Sequence, residues 1–291
     1  MMSASFLTVV LERAFNMRDG FGREIDYMRI SVIDSCNLNC YYCNPCDNNE
    51  HCHALNILSV KEVLCIVRAA TRLGIKHFRL TGGEPLLHPQ LDEMVLQIKK
   101  IPGVSSVSLT TNAVLLAQHA KWLKEAGIDS INVSLDTIDA SEYERITKKP
   151  LLEEVKHGIN AAIECGIRVK INVVLTPQTD VVALTRYVAK KGTDIRFIEM
   201  MPVGEGHTNG VEPYKKVIGT LSKLYGEPCR INTEKTKEIN SGNDKRKIPD
   251  NGPAEYYIFP ELGIRVGLIQ AIHGKFCDTC NRIRVTADGR L

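Results

Sequence analysis

The sequence predicts an α/β fold on a parallel sheet, and three observations carry that prediction. Short apolar runs of strand type alternate with longer amphipathic stretches from residue 28 to about 200. Several of the amphipathic stretches end in a glycine step typical of helix C-termini, at Leu73-Gly74, Ala126-Gly127 and Cys165-Gly166. Polar signatures follow one strand candidate after another, as happens where a site gathers at the C-terminal ends of parallel strands. Repeated strand–helix units imply parallel neighbours joined by crossovers, with the helices outside. Six units without a clear seventh and eighth predict a partial (β/α)6 barrel of TIM type. An open doubly wound sheet is the alternative.

Residues 1–16 read as an extension ahead of the ordered pattern. Their apolar segment 4–11 has no basic residue before it and is cut short by Glu12-Arg13, which argues against a signal peptide. The strand candidates are 28–33, 77–81, 106–110, 130–135, 168–175 and 195–200. Between them lie the helical candidates 59–73, 90–100, 114–126, 151–165 and 179–191. A barrel domain over 17–202 and a smaller C-terminal region over 203–291 follow. In that region Gly204-Glu205-Gly206 opens a loop, 212–225 reads as a helix, and 232–255 is polar. The charged run Asn243-Asp244-Lys245-Arg246-Lys247 reads as a solvated loop and not as a phosphate site. Residues 256–259 and 264–269 read as a hairpin around Glu261-Leu262-Gly263.

With 291 residues and 44% hydrophobic composition, the chain can bury a substantial core. A formal net charge of +3 gives no argument for nucleic-acid binding. No apolar run approaches the roughly 18 residues of a membrane span. Seven of the ten cysteines cluster at 36–52 and 277–280, which favours metal ligation in a reducing compartment, here the cytoplasm, over a disulfide scaffold. Cys65, Cys165 and Cys229 stand alone and read as small buried or half-buried hydrophobes.

The chemistry begins after the first strand candidate. Cys36, Cys40 and Cys43 form a C-x3-C-x2-C pattern with no fourth partner in the spacing. Zinc knuckles use paired short spacings instead, although Cys46 and Cys52 lie close enough to supply a fourth ligand. Three thiolates suit a four-iron cluster that keeps one iron open to a ligand. Thr81-Gly82-Gly83-Glu84-Pro85 follows the second strand, and its glycines allow unusual backbone angles and close ligand approach. Thr110-Thr111-Asn112, Ser134-Leu135-Asp136 and Glu199-Met200-Met201-Pro202 follow later strands. Arg29, Arg79, Lys170 and Arg196 lie in or at the edge of strand candidates, where an inward-facing charge needs a partner.

The cysteine triplet followed by Gly82-Gly83-Glu84-Pro85 resembles the radical S-adenosylmethionine superfamily, and implies the partial barrel of the radical SAM type. Phe21-Gly22-Arg23, Tyr27-Met28-Arg29-Ile30-Ser31-Val32, Arg196-Phe197-Ile198-Glu199-Met200-Met201-Pro202, Gly252-Pro253-Ala254-Glu255-Tyr256-Tyr257 and Phe276-Cys277-Asp278-Thr279-Cys280-Asn281-Arg282-Ile283-Arg284 narrow the resemblance to the GTP 3′,8-cyclase family. It runs from about residue 17 to the last residue.

The resemblance implies a lyase that converts GTP to (8S)-3′,8-cyclo-7,8-dihydroguanosine 5′-triphosphate for molybdenum cofactor biosynthesis. An adenosyl radical would abstract the ribose 3′ hydrogen, and the carbon radical would attack C8 of guanine and then be reduced. Cys36, Cys40 and Cys43 would hold the first [4Fe-4S] cluster. Tyr42, Gly83, Ser134 and Met201 would contact S-adenosylmethionine. Arg29, Arg79, Thr110, Lys170, Arg196, Arg282 and Arg284 would contact GTP, with Arg282 and Arg284 also acting in the last step. An electron donor is required, and a homodimer is a further expectation. A peptide-modifying radical maturase and a non-catalytic iron–sulfur or nucleotide-binding paralogue are the alternatives.

Cys277 and Cys280 would hold a second [4Fe-4S] cluster together with a third cysteine expected beyond Leu291, the last residue here. A motif kept up to the final residue reads as truncation more readily than as a shortened paralogue. Cys46, Cys52 and Cys229 stay open as substitutes.

Overall fold

A computed structural model of the chain describes residues 17–43, 56–201, 213–231, 253–274 and 276–291. The extension at 1–16, Cys46, Cys52, Gly204-Glu205-Gly206 and the charged run 243–247 lie outside the described residues.

Six parallel strands, β1 (Tyr27–Ser31), β2 (His77–Thr81), β3 (Ser106–Thr111), β4 (Ser130–Ser134), β5 (Val169–Leu175) and β6 (Asp194–Glu199), lie side by side in chain order. Consecutive order settles the choice left by the sequence. A doubly wound sheet reverses direction at a switch point, whereas right-handed crossovers without reversal put every helix on one face and curl the sheet. The architecture is a partial TIM-type barrel.

The C-terminal region supplies strands to both edges of this sheet. At one edge, β10 (Arg282–Val285) pairs parallel with β1, matching Tyr27 with Arg282 and Arg29 with Arg284. At the other, β9 (Arg265–Ile269) pairs parallel with β6, followed by antiparallel β8 (Glu255–Ile258) and β7 (Cys229–Ile231). The strands β7 and β10 escape sequence reading because each is short and carries charged residues in place of an apolar run.

The helices follow the sequence with bounds trimmed by a residue or two. They are α1 (Val60–Arg72), α2 (Leu91–Lys99), α3 (Leu116–Glu125), α5 (Leu152–Glu164), α6 (Val181–Lys190) and α7 (Pro213–Tyr225). Ser59 and Glu62 close a capping box that starts α1, and Leu73 with left-handed Gly74 (φ 90°) ends it. An additional helix, α4 (Ala140–Thr147), begins where the Asp139 carboxylate accepts the Glu142 N–H at 2.8 Å. Its eight residues bury only Tyr143, Ile146 and Thr147, too narrow a stripe for a periodicity argument. Among the described residues no helix is long and apolar enough to cross a membrane.

Alternation along the strands sorts two environments. Met28, Ile30, Phe78, Leu80, Val107, Leu109, Ile131, Val133, Ile171, Val173, Ile195 and Phe197 face the helices and are buried in one core. The opposite face, the barrel lumen, is polar. Cys65 and Cys229 depart from the expected burial and are exposed. Cys65 lies off the Val63–Val67–Ala70 stripe by which α1 packs, and Cys229 sits on the short outermost strand β7.

Candidate active site

The loop after β1 carries Cys36, Cys40 and Cys43 as free thiols. Two of its backbone N–H groups, of Asn39 and Tyr41, donate to the Thr147 and Ile146 carbonyls at 3.0 and 3.1 Å. Those carbonyls belong to the last turn of α4, where a helix has no internal donors left, so the helix end anchors the loop. A second anchor is Tyr42, whose hydroxyl donates to the Asp136 carboxylate just beyond β4. Asp136 also accepts the Val174 N–H at 2.7 Å, and burial pushes its carboxyl up to about 6 against these two donors.

Burial also raises all three thiols, Cys40 to about 12, and nearby Asp136 adds to the effect on Cys40 and Cys43. Cys36 and Cys40 each feel the charge of Cys43, so the three sulfurs share one neighbourhood. Among the described residues no three His, Cys, Asp or Glu side chains converge on a single metal ion. A four-iron cluster needs no such convergence, because its irons are ligated at separate corners. Three neighbouring sulfurs on a loop anchored at Asn39, Tyr41 and Tyr42, one of them receiving N–H donors, fit that group.

The glycine turn after β2 packs directly on this loop. A Cβ on Gly83 would lie 2.2 Å from the Ser35 carbonyl oxygen, and one on Gly82 would lie 2.5 Å from that of Ile33. Only glycine allows the approach. The N–H groups of Gly83 and Glu84 donate to Ile33 and Ser35 at 2.7 and 2.8 Å. Glu84 points inward, 1% exposed. Its carboxylate accepts from the Leu86 N–H (3.0 Å), the Thr111 hydroxyl (2.6 Å) and the Asn112 N–H (2.7 Å). Burial pushes its carboxyl up to about 7 despite these donors. Glu84 therefore ties the ends of β2 and β3 together and leaves ligand contact to its neighbours. Glu84→Gln replaces an acceptor by an NH2 that faces another donor, and is expected to destabilise the apoprotein by about 1–3 kcal/mol in urea denaturation.

The lumen face collects the predicted cations. The pairing register puts Arg284, Arg29 and Arg79 on one rung across β10, β1 and β2, with Ser108 next on β3. Neighbouring strands lie only about 4.8 Å apart, so the three guanidinium groups share a small volume. Arg29 is pushed down to about 10, first by burial and then by the charges of Arg284 and Arg79. Arg79 is aimed by a hydrogen bond to the Ser108 hydroxyl at 3.0 Å and lies 5.6 Å over the Tyr27 ring.

Further round, Thr110, Asn132, Lys170 and Asp194 form a second rung, and Ser134, Asn172 and Arg196 a third. Lys170 (5% exposed) sits 5.9 Å over the Tyr256 ring, and Arg196 (3%) donates to Asn172 Oδ1 at 2.9 Å. Arg29 Nε, Thr110 Oγ1 and Asn132 Nδ2 are buried with no hydrogen-bond partner among the described residues. Buried polar atoms in folded proteins are nearly always satisfied, so three orphans on one polar face mark a place for a ligand.

Asp194 is the only acid among the described strand residues of this face, and it is engaged by Arg265 and lies 4.0 Å from Arg168. The Arg284–Arg29–Arg79 rung continues into Ser108 and Ser130. Of the residues assigned to S-adenosylmethionine, Tyr42 and Gly83 join in fixing the cysteine loop. Ser134 and Met201 stand at the ends of β4 and β6, Ser134 exposed and Met201 53% exposed.

At the far end, Cys277 and Cys280 lie in the short turn ahead of β10. Arg23 donates to the Cys277 carbonyl, and Asn281 donates to Asp26 at 2.6 Å, so the N-terminal segment braces this turn. Glu199 at the end of β6 accepts from the Ile272 N–H (2.8 Å) and pairs with His273, holding the preceding loop. The sequence names Asp136 and Tyr256 only within longer motifs, with no role for either side chain, and does not single out Asn172 or Gly267. Gly267 leaves room for Arg196 and Tyr256, since a Cβ there would lie 2.7 and 2.9 Å from them. Alternation on the strands flags Asn172 as inward-facing, but no local signal gives Asp136, Tyr256 or Gly267 its partners.

A thiol triplet beyond the first strand, a glycine turn beyond the second and a single-wound partial barrel define the class of radical S-adenosylmethionine enzymes. Residues 30–184 match the family model described as Radical SAM superfamily, and residues 193–291 match Molybdenum Cofactor Synthesis C. The chain belongs to the GTP 3′,8-cyclase family of that superfamily: it is 37% identical over 276 residues to GTP 3′,8-cyclase of Clostridium perfringens, covering 94% of this chain and 81% of that one. It is likewise 38% identical over 282 residues to GTP 3′,8-cyclase of Pelotomaculum thermopropionicum, covering 94% and 82%. Among solved structures, Streptococcus suis SuiB bound to S-adenosylmethionine superposes with a TM-score of 0.57 at 16% identity, over 68% of this chain and 47% of that one. Methylornithine synthase superposes at 0.56 with 16% identity, over 78% and 71%. These two likenesses concern the fold.

Proposed function

We propose that this chain is a GTP 3′,8-cyclase, converting GTP to (8S)-3′,8-cyclo-7,8-dihydroguanosine 5′-triphosphate in molybdenum cofactor biosynthesis. The observation that carries the substrate is the Arg284–Arg29–Arg79 rung, three cations in register on one polar face, with Arg29 pushed down to about 10 by burial and by the charges of the other two. A triphosphate brings several negative charges and many acceptor oxygens, which guanidinium forks bind bidentately. Lys170 and Arg196 would extend that contact, and the Thr110 hydroxyl would meet the ribose or base.

Cys36, Cys40 and Cys43 would hold the first [4Fe-4S] cluster, with S-adenosylmethionine beside Tyr42, Gly83, Ser134 and Met201. Bound there, the cluster and S-adenosylmethionine supply a 5′-deoxyadenosyl radical, the hydrogen-abstracting chemistry that no side chain provides. The chain's own residues bind and orient. The Gly83 N–H is spent on the cysteine loop, which leaves carbonyl oxygens of the turn for a ligand's ammonium group. Arg282 and Arg284 would hold the substrate at the end nearest Cys277 and Cys280, the two residues of this chain that would ligate a second [4Fe-4S] cluster. The same reading places the enzyme in the cytoplasm with an external electron donor.

Anaerobic incubation of reconstituted, reduced protein with S-adenosylmethionine and either GTP or ATP tests the reading. Cyclised product is expected from GTP alone. Release of 5′-deoxyadenosine without cyclised product from GTP would remove the cyclase assignment and leave the radical chemistry. Cys277→Ala is expected to lower cyclisation more than S-adenosylmethionine cleavage, and equal losses would contradict separate roles for the two cysteine groups.

A further inference from the structure

We infer that Asn112 is a positioning residue for the first cluster: its side-chain amide directs an N–H···S hydrogen bond at Cys36 that sets the cluster's reduction potential. The inference rests on the reading that Cys36 ligates that cluster.

Asn112 follows β3, and its backbone N–H and both side-chain polar atoms have partners. Its backbone N–H donates to Glu84 at 2.7 Å, and its Oδ1 accepts the Val114 N–H at 3.0 Å. Nδ2 then faces the cysteine loop, donating to Asn37 Oδ1 at 2.7 Å and reaching Cys36 Sγ at 3.8 Å. The orientation of the amide is determined, because the flipped form would set NH2 against the Val114 N–H. The next residue, Ala113, is fully buried at a left-handed φ of 66°. Its N–H is held by the Thr111 hydroxyl at 2.9 Å, and Gly158 presses so close that a Cβ there would lie 2.4 Å from the Ala113 carbonyl oxygen. A non-glycine residue stays in that conformation only where its surroundings over-determine it, which is common beside reactive centres. The turn thus aims one N–H at one sulfur, alongside the Leu38 N–H at 3.5 Å. Hydrogen bonds to ligating sulfurs favour the more negative, reduced state and raise the potential of an iron–sulfur cluster.

The test is the midpoint potential of the first cluster, followed by electron paramagnetic resonance in reconstituted protein. The relevant signal is the one that changes on adding S-adenosylmethionine. In Asn112→Ser the hydroxyl still accepts the Val114 N–H but falls short of the sulfur. Asn112→Asp keeps the side-chain shape and turns the donor into an acceptor. Asn112→Ser is expected to lower the reduced-to-oxidised ratio at fixed potential about tenfold, a fall of about 59 mV for one electron. Asn112→Asp is expected to lower it further. Wild-type potentials in both variants, with iron content and the S-adenosylmethionine response retained, would overturn the inference. If both variants lose iron, an unchanged melting temperature of the apoprotein supports it. A lowered one overturns it by reducing Asn112 to a structural prop. A wild-type protein without any S-adenosylmethionine-responsive cluster would instead sink the first-cluster reading itself.

Discussion

Cys36→Ala is expected to bring reductive cleavage of S-adenosylmethionine to background, with 5′-deoxyadenosine release falling by well over 100-fold. Loss of a group that merely supports a metal ligand costs about 10–100-fold, and Cys36 is read as a ligand itself. The fold should survive, because Cys36 lies on a loop beyond the sheet and is no part of the hydrophobic core. Among the described residues its sulfur receives the Leu38 and Asn112 N–H groups. Stability of the apoprotein is expected to stay within about 0.5 kcal/mol. Iron content, 5′-deoxyadenosine yield and a urea melt read the three quantities separately. Wild-type 5′-deoxyadenosine release from the variant would remove Cys36 from the site.

Arg29→Met should separate substrate binding from radical generation. A charge-assisted hydrogen bond contributes about 1.5–3 kcal/mol, so losing a guanidinium proposed to hold the triphosphate is expected to lower kcat/KM for GTP by about 10- to 150-fold. S-adenosylmethionine cleavage in the absence of GTP should be spared, since Arg29 makes no hydrogen bond to the cysteine loop among those described. The effect on stability runs the other way. Arg29 has its folded pKa depressed to about 10, so its charge costs the folded state stability at every pH below that value. Removing the charge relieves its repulsion with Arg79 and Arg284, and the apoprotein should melt at or above the wild-type temperature. Bound GTP should then raise the melting point of the wild type more than that of the variant. A variant that binds GTP as tightly as the wild type would break the link between the cationic rung and the triphosphate.

Much of the barrel is legible in the sequence because its signals are local. β2 falls at 77–81 as read, and β3 to β6 shift by a residue or so, since alternation and flanking glycines are enough to locate them. The capping glycines at 74, 127 and 166 all take positive φ, as their positions predict. The missed elements fail for equally local reasons. α4 buries too few residues to show a stripe, and β7 and β10 are too short and too charged to read as strands.

The site divides in the same way. Cys36, Cys40 and Cys43, the glycine turn and the individual basic residues are visible one by one. What each of them faces is not. Glu84 lies within the most recognisable turn of the chain, yet its role as a buried tie between β2 and β3 depends on Thr111 and Asn112. Asp136 is an ordinary strand-end acid until Tyr42 and Val174 donate to it.

The sequence by itself determined the strand and helix periods, the helix stops and the spacing of the first three thiols, because each is written within a few consecutive residues. Only the tertiary structure decided that the sheet winds in one direction, and that the C-terminal region adds strands to both its edges. It alone set Arg284 beside Arg29. Strand pairing joins residues at opposite ends of the chain, and the burial of Arg29 and its repulsion from Arg284 and Arg79 exist only once the strands are paired.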